Sequence, residues 1–464
     1  MILIIFVEND IEMQRKNVFI AATKNILIAT SLVTFAACDR SGQTPDKPDP
    51  KPDDQETVIG KGTDYELKLV ESRKLADGVQ YAKYKPKKFT KDVYILTVDM
   101  NEPNVELEAC YANDICPNPH FENANNGPKL REVMSASCLR KRKAGHNVVA
   151  AINGDYYETM PGTLLNCHIQ EGEPVYIPNP RNLMIHYTCV CGLTEFTDRT
   201  ITTDPREIKC MFKWNGLEQE FYSVNDTIVR LHPKSAAKAF QGANLYDGRF
   251  KEVPFASTPA LTNPIGTGAL FIVAKTDSPL KVNTGDIQAT VVSVDDGRDG
   301  KLATAPYVND GYWVMQLTGA TADRFAGVKS GDRIALNFEI KIGGKVKPIK
   351  THIGGVFRFV HEWEYVPVYK NKENEKKRAT IAGIDESGKK AILMVANTSD
   401  LLYPQLAELC KIVGIKEAVR FDGGGSAEMW LWNGTQGEIV CPSTDSRGAE
   451  RSNMNYLHVV GSRP

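Results

Sequence analysis

Residues 401–434 read LLYPQLAELCKIVGIKEAVRFDGGGSAEMWLWNG, and the order of patterns in this stretch decides the expected fold. Apolar residues recur at helical spacing through 401–415, and a short apolar run follows that ends at Asp422. Three successive glycines then break the pattern before a second apolar segment. Just upstream, RIALNFEI (333–340), ATIAGI (379–384) and KAILMVAN (390–397) read as strands. Further out, DVYILTVDM (92–100) and VELEACYA (105–112) read as strands joined by the turn NEPN. PKLREVMSASCLRKRKAG (128–145) has helical spacing and runs into NVVAAINGDYYE (147–158). Helix and strand alternate only locally, so a regular doubly wound parallel sheet is not expected. The expected class is α+β, with mixed β-sheets and a few packed helices in a single large domain. No repeat of 20 to 50 residues is present.

The N-terminal end carries a different signal. Arg15, Lys16 and Lys24 precede an apolar run, 26–37, that closes Phe35-Ala36-Ala37-Cys38. Positive residues, a short apolar stretch and small residues before a cleavage point are the layout of a secretory signal. The run is too short for a bilayer span, which needs roughly 20 residues. Its end resembles a bacterial lipobox with Phe35 in place of the usual Leu, which implies acylation at Cys38. Glu8, Asp10 and Glu12 are acidic where such a signal is positive, so Met13 is the expected start. Residues 39–62 are rich in Pro, Asp, Lys and Gly and nearly empty of apolar side chains. They read as a semi-extended tether. The expected division is therefore a signal over 1–38, a tether over 39–62 and one domain over 63–464. Within that domain, strands and a helix fill 63–145 and the core fills 146–464. The expected location is the bacterial cell envelope, periplasmic or on the cell surface, with the membrane reached through a lipid anchor.

Formal net charge is -1 with both signs interspersed, so nucleic acid is not an expected partner. Of ten cysteines, nine remain beside Cys38, so at least one has no intramolecular partner. No CxxC or HExxH is present, which leaves a zinc site with little support.

Three segments place polar residues at abrupt Gly-containing turns after strands. The first is Asn153-Gly154-Asp155-Tyr156, where glycine admits a close backbone approach. In the second, Arg378 and Thr380 share a face of an extended strand, so a guanidinium and a hydroxyl are placed to hold one anion. The third is Asp422-Gly423-Gly424-Gly425-Ser426, whose glycines expose backbone N–H groups. Each alone reads as an ordinary turn or a solvated face. Together and in this order they are far more specific, and the expectation is that Asp155, Arg378 and Asp422 converge in one pocket.

That trio resembles the phosphodiester glycosidase family, from about Asp92 to Val460. The helix at 401–409, the polar segment 442–451 and the glycine pair Gly354-Gly355 are similar to further motifs of that family. The chain departs from it where Val356-Phe357 replaces a proline, where Lys377 replaces another, and at Ala396-Asn397-Thr398. The resemblance implies a single catalytic domain that hydrolyses a sugar-1-phosphodiester between the anomeric carbon and the phosphate oxygen. An oxocarbenium-like transition state needs carboxylates, and Asp155 and Asp422 are the leading ones. Arg378, Thr380 and the backbone of Gly423, Gly424 and Gly425 would hold the phosphate. Asn153, Gly154 and Ser426 complete the expected substrate contacts. Glu428 and Glu450 are weaker carboxylate candidates, and His146, His168, His352 and His361 read as structural or surface residues. No cofactor is required, and a divalent cation on Asp155 or Asp422 is allowed but not demanded. Two alternatives stand beside this reading. One is a glycan-binding lipoprotein without turnover, with Trp313, Trp363, Trp430 and Trp432 as sugar platforms. The other is a metal-dependent phosphodiesterase that cuts the P–O bond.

Overall fold

The computed structural model describes residues 57–114, 116, 131–158, 163–178, 190–226, 242–249, 269–298, 311–367, 374–444 and 450–461. The expected signal, Cys38 and most of the tether lie outside these residues. The tether expectation is corrected at its far end, because Val58–Ile59 is a strand, with Val58 opposite Lys68 and Ile59 opposite Leu67. Ile59 packs against a hydrophobic cluster, and that contact orders a segment whose composition alone is polar.

Among the described residues, strand dominates at 51% against 10% helix, so α+β overstates the helices while the several-sheet expectation stands. The described strand ladders pair antiparallel throughout, with one isolated parallel bridge between Val224 and Leu245. The expected mixture of strand directions is reduced to that bridge.

A nine-stranded sheet runs from Val58–Ile59 to Glu364–Tyr365, with Lys390–Ala396, Ala379–Ile384 and Glu417–Arg420 adjacent in its middle. A five-stranded sheet has the order Gly437–Cys441, Met429–Trp432, Val148–Asn153, Asn455–Val460, Glu106–Tyr111. The two sheets face each other. Leu96, Val98, Leu393, Val395 and Val419 from the first meet Ala150, Ile152, Met429, Leu431 and Leu457 from the second in one buried cluster. Alternation along each strand puts the next residues on the outer faces. Ile381, Ile392 and Met394 there receive the helix Tyr403–Ile412 through Leu406, Leu409 and Cys410. Ala151, Trp430 and Tyr456 receive the helix Met134–Lys143 through Met134 and Cys138. The result is a helix–sheet–sheet–helix stack.

The two helices fall inside the expected 401–415 and 128–145. Met134–Lys143 has no side-chain cap of its own at Val133. Glu450 supplies one from far along the chain, accepting from the Ser135 N–H and hydroxyl at 2.6 Å each. That explains Glu450 as a structural carboxylate.

Besides a two-stranded pairing of Tyr157–Glu158 with Thr163–Leu164, the described residues form a second five-stranded sheet and an eight-stranded sheet, the latter with its own core around Phe212, Met315 and Leu336. The former contributes Ile169 and Ile349 to that core, and Leu193 and Ile353 to the sandwich core. Among the described residues, no helix is long and apolar enough to cross a membrane.

Candidate active site

The first and third polar corners come from opposite sheets of the sandwich. Val148–Asn153 is buried on both faces and ends in the Asn-Gly-Asp turn. Glu417–Arg420 pairs with Ala379–Ile384, Arg420 opposite Ile381, and ends in the triple-glycine turn. The Asp422 N–H donates to Gly154 O at 2.9 Å, a main-chain bond directly between the two corners. The Asn153 amide adds three more, with Nδ2 donating to Asp422 O at 2.8 Å. Its Oδ1 accepts from Thr380 Oγ1 at 2.6 Å and from the Glu428 N–H at 3.1 Å. Gly154 is required here, since a Cβ would lie 2.5 Å from both Asn455 Oδ1 and Ile353 Cδ1.

This geometry revises two roles. Thr380 gives its hydroxyl proton to Asn153, and the Arg378 guanidinium turns elsewhere, so the two do not hold one anion between them. Asn153 spends both ends of its amide on protein partners and acts as a cross-link between the sheets.

Around the triple glycine, charge is concentrated. A Cβ on Gly423 would strike Arg378 O and Arg420 Nη2, and one on Gly425 would lie 2.5 Å from Arg451 Nη1. Three guanidinium-bearing residues therefore press against this turn. Gly424 has φ 61°, and a Cβ there would meet none of the described residues within 4 Å, so they leave the turn open on that side. Arg378 Nη2 donates to Ala427 O at 2.9 Å and Pro442 O at 2.6 Å, but its Nε and Nη1 are buried without a partner among the described residues. Arg420 Nε likewise has no partner among the described residues, its guanidinium carbon 5.5 Å from the Phe357 ring centroid and 5.1 Å from that of Tyr403. Sequence reasoning missed Arg420 and Arg451. For Arg420 the signal was present: it stands two residues before Asp422 on a strand and so shares its face.

Both leading carboxylates are buried. Asp155 Oδ1 accepts from the Tyr156 N–H at 2.7 Å and Asn166 Nδ2 at 2.8 Å, while Oδ2 accepts from the Asn166 N–H at 2.9 Å. Burial pushes its carboxyl up to about 8 against the pull of these donors and of Arg206. Asp422 Oδ1 accepts from the Gly423 N–H at 2.8 Å. Burial raises Asp422 too, opposed by the Ser426 hydroxyl, Arg420, the Gly423 N–H and Arg451. A third carboxyl, Glu428, is pushed up to about 8 by burial and then by Glu450, with Ser443 and Arg378 opposing. Its Oε2 has no partner among the described residues.

The histidines lie outside this constellation. His168 is buried and lowered to about 3 by burial, its Nδ1 3.3 Å from Asn455 Nδ2. His352 Nδ1 is 2.8 Å from Thr194 Oγ1, and His361 pairs with Glu417. Among the described residues, Glu108, His146 and Glu171 are grouped closely enough to hold a metal ion, but the Lys141 ammonium stands 3.1 Å from Glu108 Oε1. Trp313 and Trp430 are buried in apolar clusters, which removes them as sugar platforms. A cavity of about 240 Å³ lined by Glu173, Asp247, Arg249, Tyr312 and Trp313 shares no residue with the site.

Against known families, residues 281–460 match the phosphodiester glycosidase model. Residues 281–460 thus resemble that family. The match takes in Arg378, Thr380, the triple glycine and Arg451, and it begins downstream of the Asn-Gly-Asp corner. No curated protein matches the chain in sequence. Among solved structures, a hypothetical protein from Synechocystis is similar at TM-score 0.55 and 13% identity, over 89% of this chain and 64% of that one. The chain thus spans less than two thirds of that relative. A putative exported protein from Burkholderia pseudomallei is similar at TM-score 0.51 and 15% identity, over 82% and 74%. These two share the fold. The zebrafish N-acetylglucosamine-1-phosphodiester alpha-N-acetylglucosaminidase catalytic domain, auto-inhibited by its pro-peptide, superposes at TM-score 0.35 with 12% identity over 88% and 87%, too loosely to carry an argument.

Proposed function

We propose that this phosphodiester glycosidase-family chain hydrolyses a sugar-1-phosphodiester at the anomeric C–O bond. The observation that carries the reading is the set of buried guanidinium N–H groups without partners among the described residues, Arg378 Nε and Nη1 and Arg420 Nε, around a glycine turn that no described residue covers at Gly424. Buried donors of this kind are rare in native proteins, and an oxyanion supplies what they lack. Arg378, Arg420, Arg451 and the glycine backbone then hold the phosphate. The phosphate leaves without needing a strong acid, while Asp422 and Asp155 meet the positive charge that develops at the anomeric carbon. Thr380 and Asn153 serve by keeping the two corners together. On the sequence reading alone, we take the protein to be exported and anchored through Cys38.

The test is turnover of a small panel of sugar-1-phosphodiesters in ¹⁸O-water, with and without chelator. The reading expects free reducing sugar carrying the label, unaffected by chelator. Asp422→Asn and Arg420→Met should each lower kcat/KM by at least roughly 100-fold, the scale of losing one charged transition-state contact. Label in the phosphate would mean P–O cleavage, and saturable sugar binding with no release would mean a glycan-binding module. Either result ends the proposal.

A further inference from the structure

The glycine pair Gly354-Gly355 has no role in the chemistry described so far, yet it lies where three parts of the site meet. Asn166 is fully buried beside it, between the short strands Thr163–Leu164 and His168–Gln170. Asn166 makes two of the three hydrogen bonds to the Asp155 carboxylate, one to each oxygen. The same Nδ2 also donates to Gly355 O at 3.1 Å. A Cβ on Gly354 would collide with Asn166 Cβ, and one on Gly355 would lie 3.0 Å from Val419 Cβ and 3.2 Å from Arg420 O. The pair therefore lets Asn166 and the strand leading to Asp422 approach the same backbone from two sides.

We propose that Asn166 is a positioning residue, seated by Gly354-Gly355, that fixes the orientation of the Asp155 carboxylate and favours its ionised form. The proposal rests on the reading that Asp155 serves the reaction, and it adds the element that sets that carboxylate's charge. The physical reason is the donor geometry. N–H groups aimed at both oxygens of one carboxylate stabilise the anion, and removing them leaves burial to favour the neutral acid. Among the described residues, the groups facing Asp155 are the Tyr156 N–H, Asn166 and Arg206, with the Tyr111 hydroxyl and the Cys167 thiol also in electrostatic contact with it. Asn455 holds the adjoining backbone, its Oδ1 accepting from the Asp155 N–H at 2.8 Å.

Two measurements on the whole protein separate this inference from the reaction it serves. The first is a ¹³C-carboxyl NMR titration of Asp155 in wild type, Asn166→Ala and Gly354→Ala, which needs no substrate. The titration should move upward by about one pH unit in Asn166→Ala, the scale of one lost charge-assisted hydrogen bond. Gly354→Ala should reproduce the shift by displacing an unaltered Asn166. The second is the pH profile of turnover. Asn166→Ala should lower kcat about 10- to 100-fold with KM changed little, and the limb governed by Asp155 should move upward. Asn166→Asp should recover part of the rate only over the pH interval in which the two carboxyls share one proton that the new side chain can donate to Asp155, and lose it where both are protonated or both ionised. An unmoved Asp155 titration in a folded Asn166→Ala would overturn the inference. A moved titration in a protein that turns over no sugar phosphodiester would uphold the positioning and overturn the proposed function instead.

Discussion

Asn153→Ala is the perturbation that asks most directly whether the two corners depend on each other. The side chain makes three hydrogen bonds, to Asp422 O, from Thr380 Oγ1 and from the Glu428 N–H. All four residues are buried. Each bond contributes about 1 kcal/mol net, and each buried group left alone costs about 1–3 kcal/mol. The alanine strands a carbonyl, a hydroxyl and an N–H together, so a loss of about 3–5 kcal/mol is expected once partial relaxation is allowed. Thr380→Val removes one donor and keeps the shape, for about 1 kcal/mol. The informative case is the double variant. Once Asn153 is gone, the Thr380 hydroxyl has no partner to lose, so the pair should cost about 1 kcal/mol less than the sum of the singles. Urea unfolding followed by tryptophan fluorescence measures all three, and turnover of the same samples should fall because Asp422 loses the bond that fixes its carbonyl. Strict additivity of the two substitutions, or a cost for Asn153→Ala below about 1 kcal/mol, would refute the cross-link.

Two further outcomes are expected. Asp155, Glu195 and Glu428 are raised by burial to about 8, 7 and 8 from ordinary values of 3.8, 4.5 and 4.5, so the folded state keeps protons that the unfolded chain releases. Their stabilisation is complete below the ordinary carboxylate range and is lost as pH rises through 7–8. His168 and His458, lowered to about 3, act in the opposite sense and are finished by pH 6.5. Melting temperature should therefore decline between pH 6.5 and 8.5, less steeply in Glu195→Gln, and a curve that rises over that interval contradicts the burial. Gly423 has φ -130°, an extended value open to any residue, so Gly423→Ala tests space alone. Its Cβ would push on Arg378 O and Arg420 Nη2, and the measured KM should rise roughly tenfold or more if those groups hold the substrate.

What the sequence by itself determined is local. Spacing placed the helices within 128–145 and 401–415, and apolar runs placed the strands that end at Asn153 and Asp422, because side-chain periodicity is a property of neighbours in the chain. The Asn153 and Asp422 corners were legible for the same reason, as abrupt breaks after buried strands, whereas Arg378 stands just before its strand and Thr380 within it. Tertiary structure decided which sheet each strand joined. Val93–Asp99 and Glu106–Tyr111 are consecutive in the chain, yet they lie in different sheets of the sandwich. Both are buried on most of their length, so their patterns fit either sheet. Only tertiary structure could assign Thr380 and Asn153 to each other, Glu450 to the Ser135 end of a helix, and Asn166 to Asp155. The first two are hydrogen bonds between segments remote in the chain and the third spans 11 residues, and in each the partner is fixed by how the segments pack rather than by an adjacent residue.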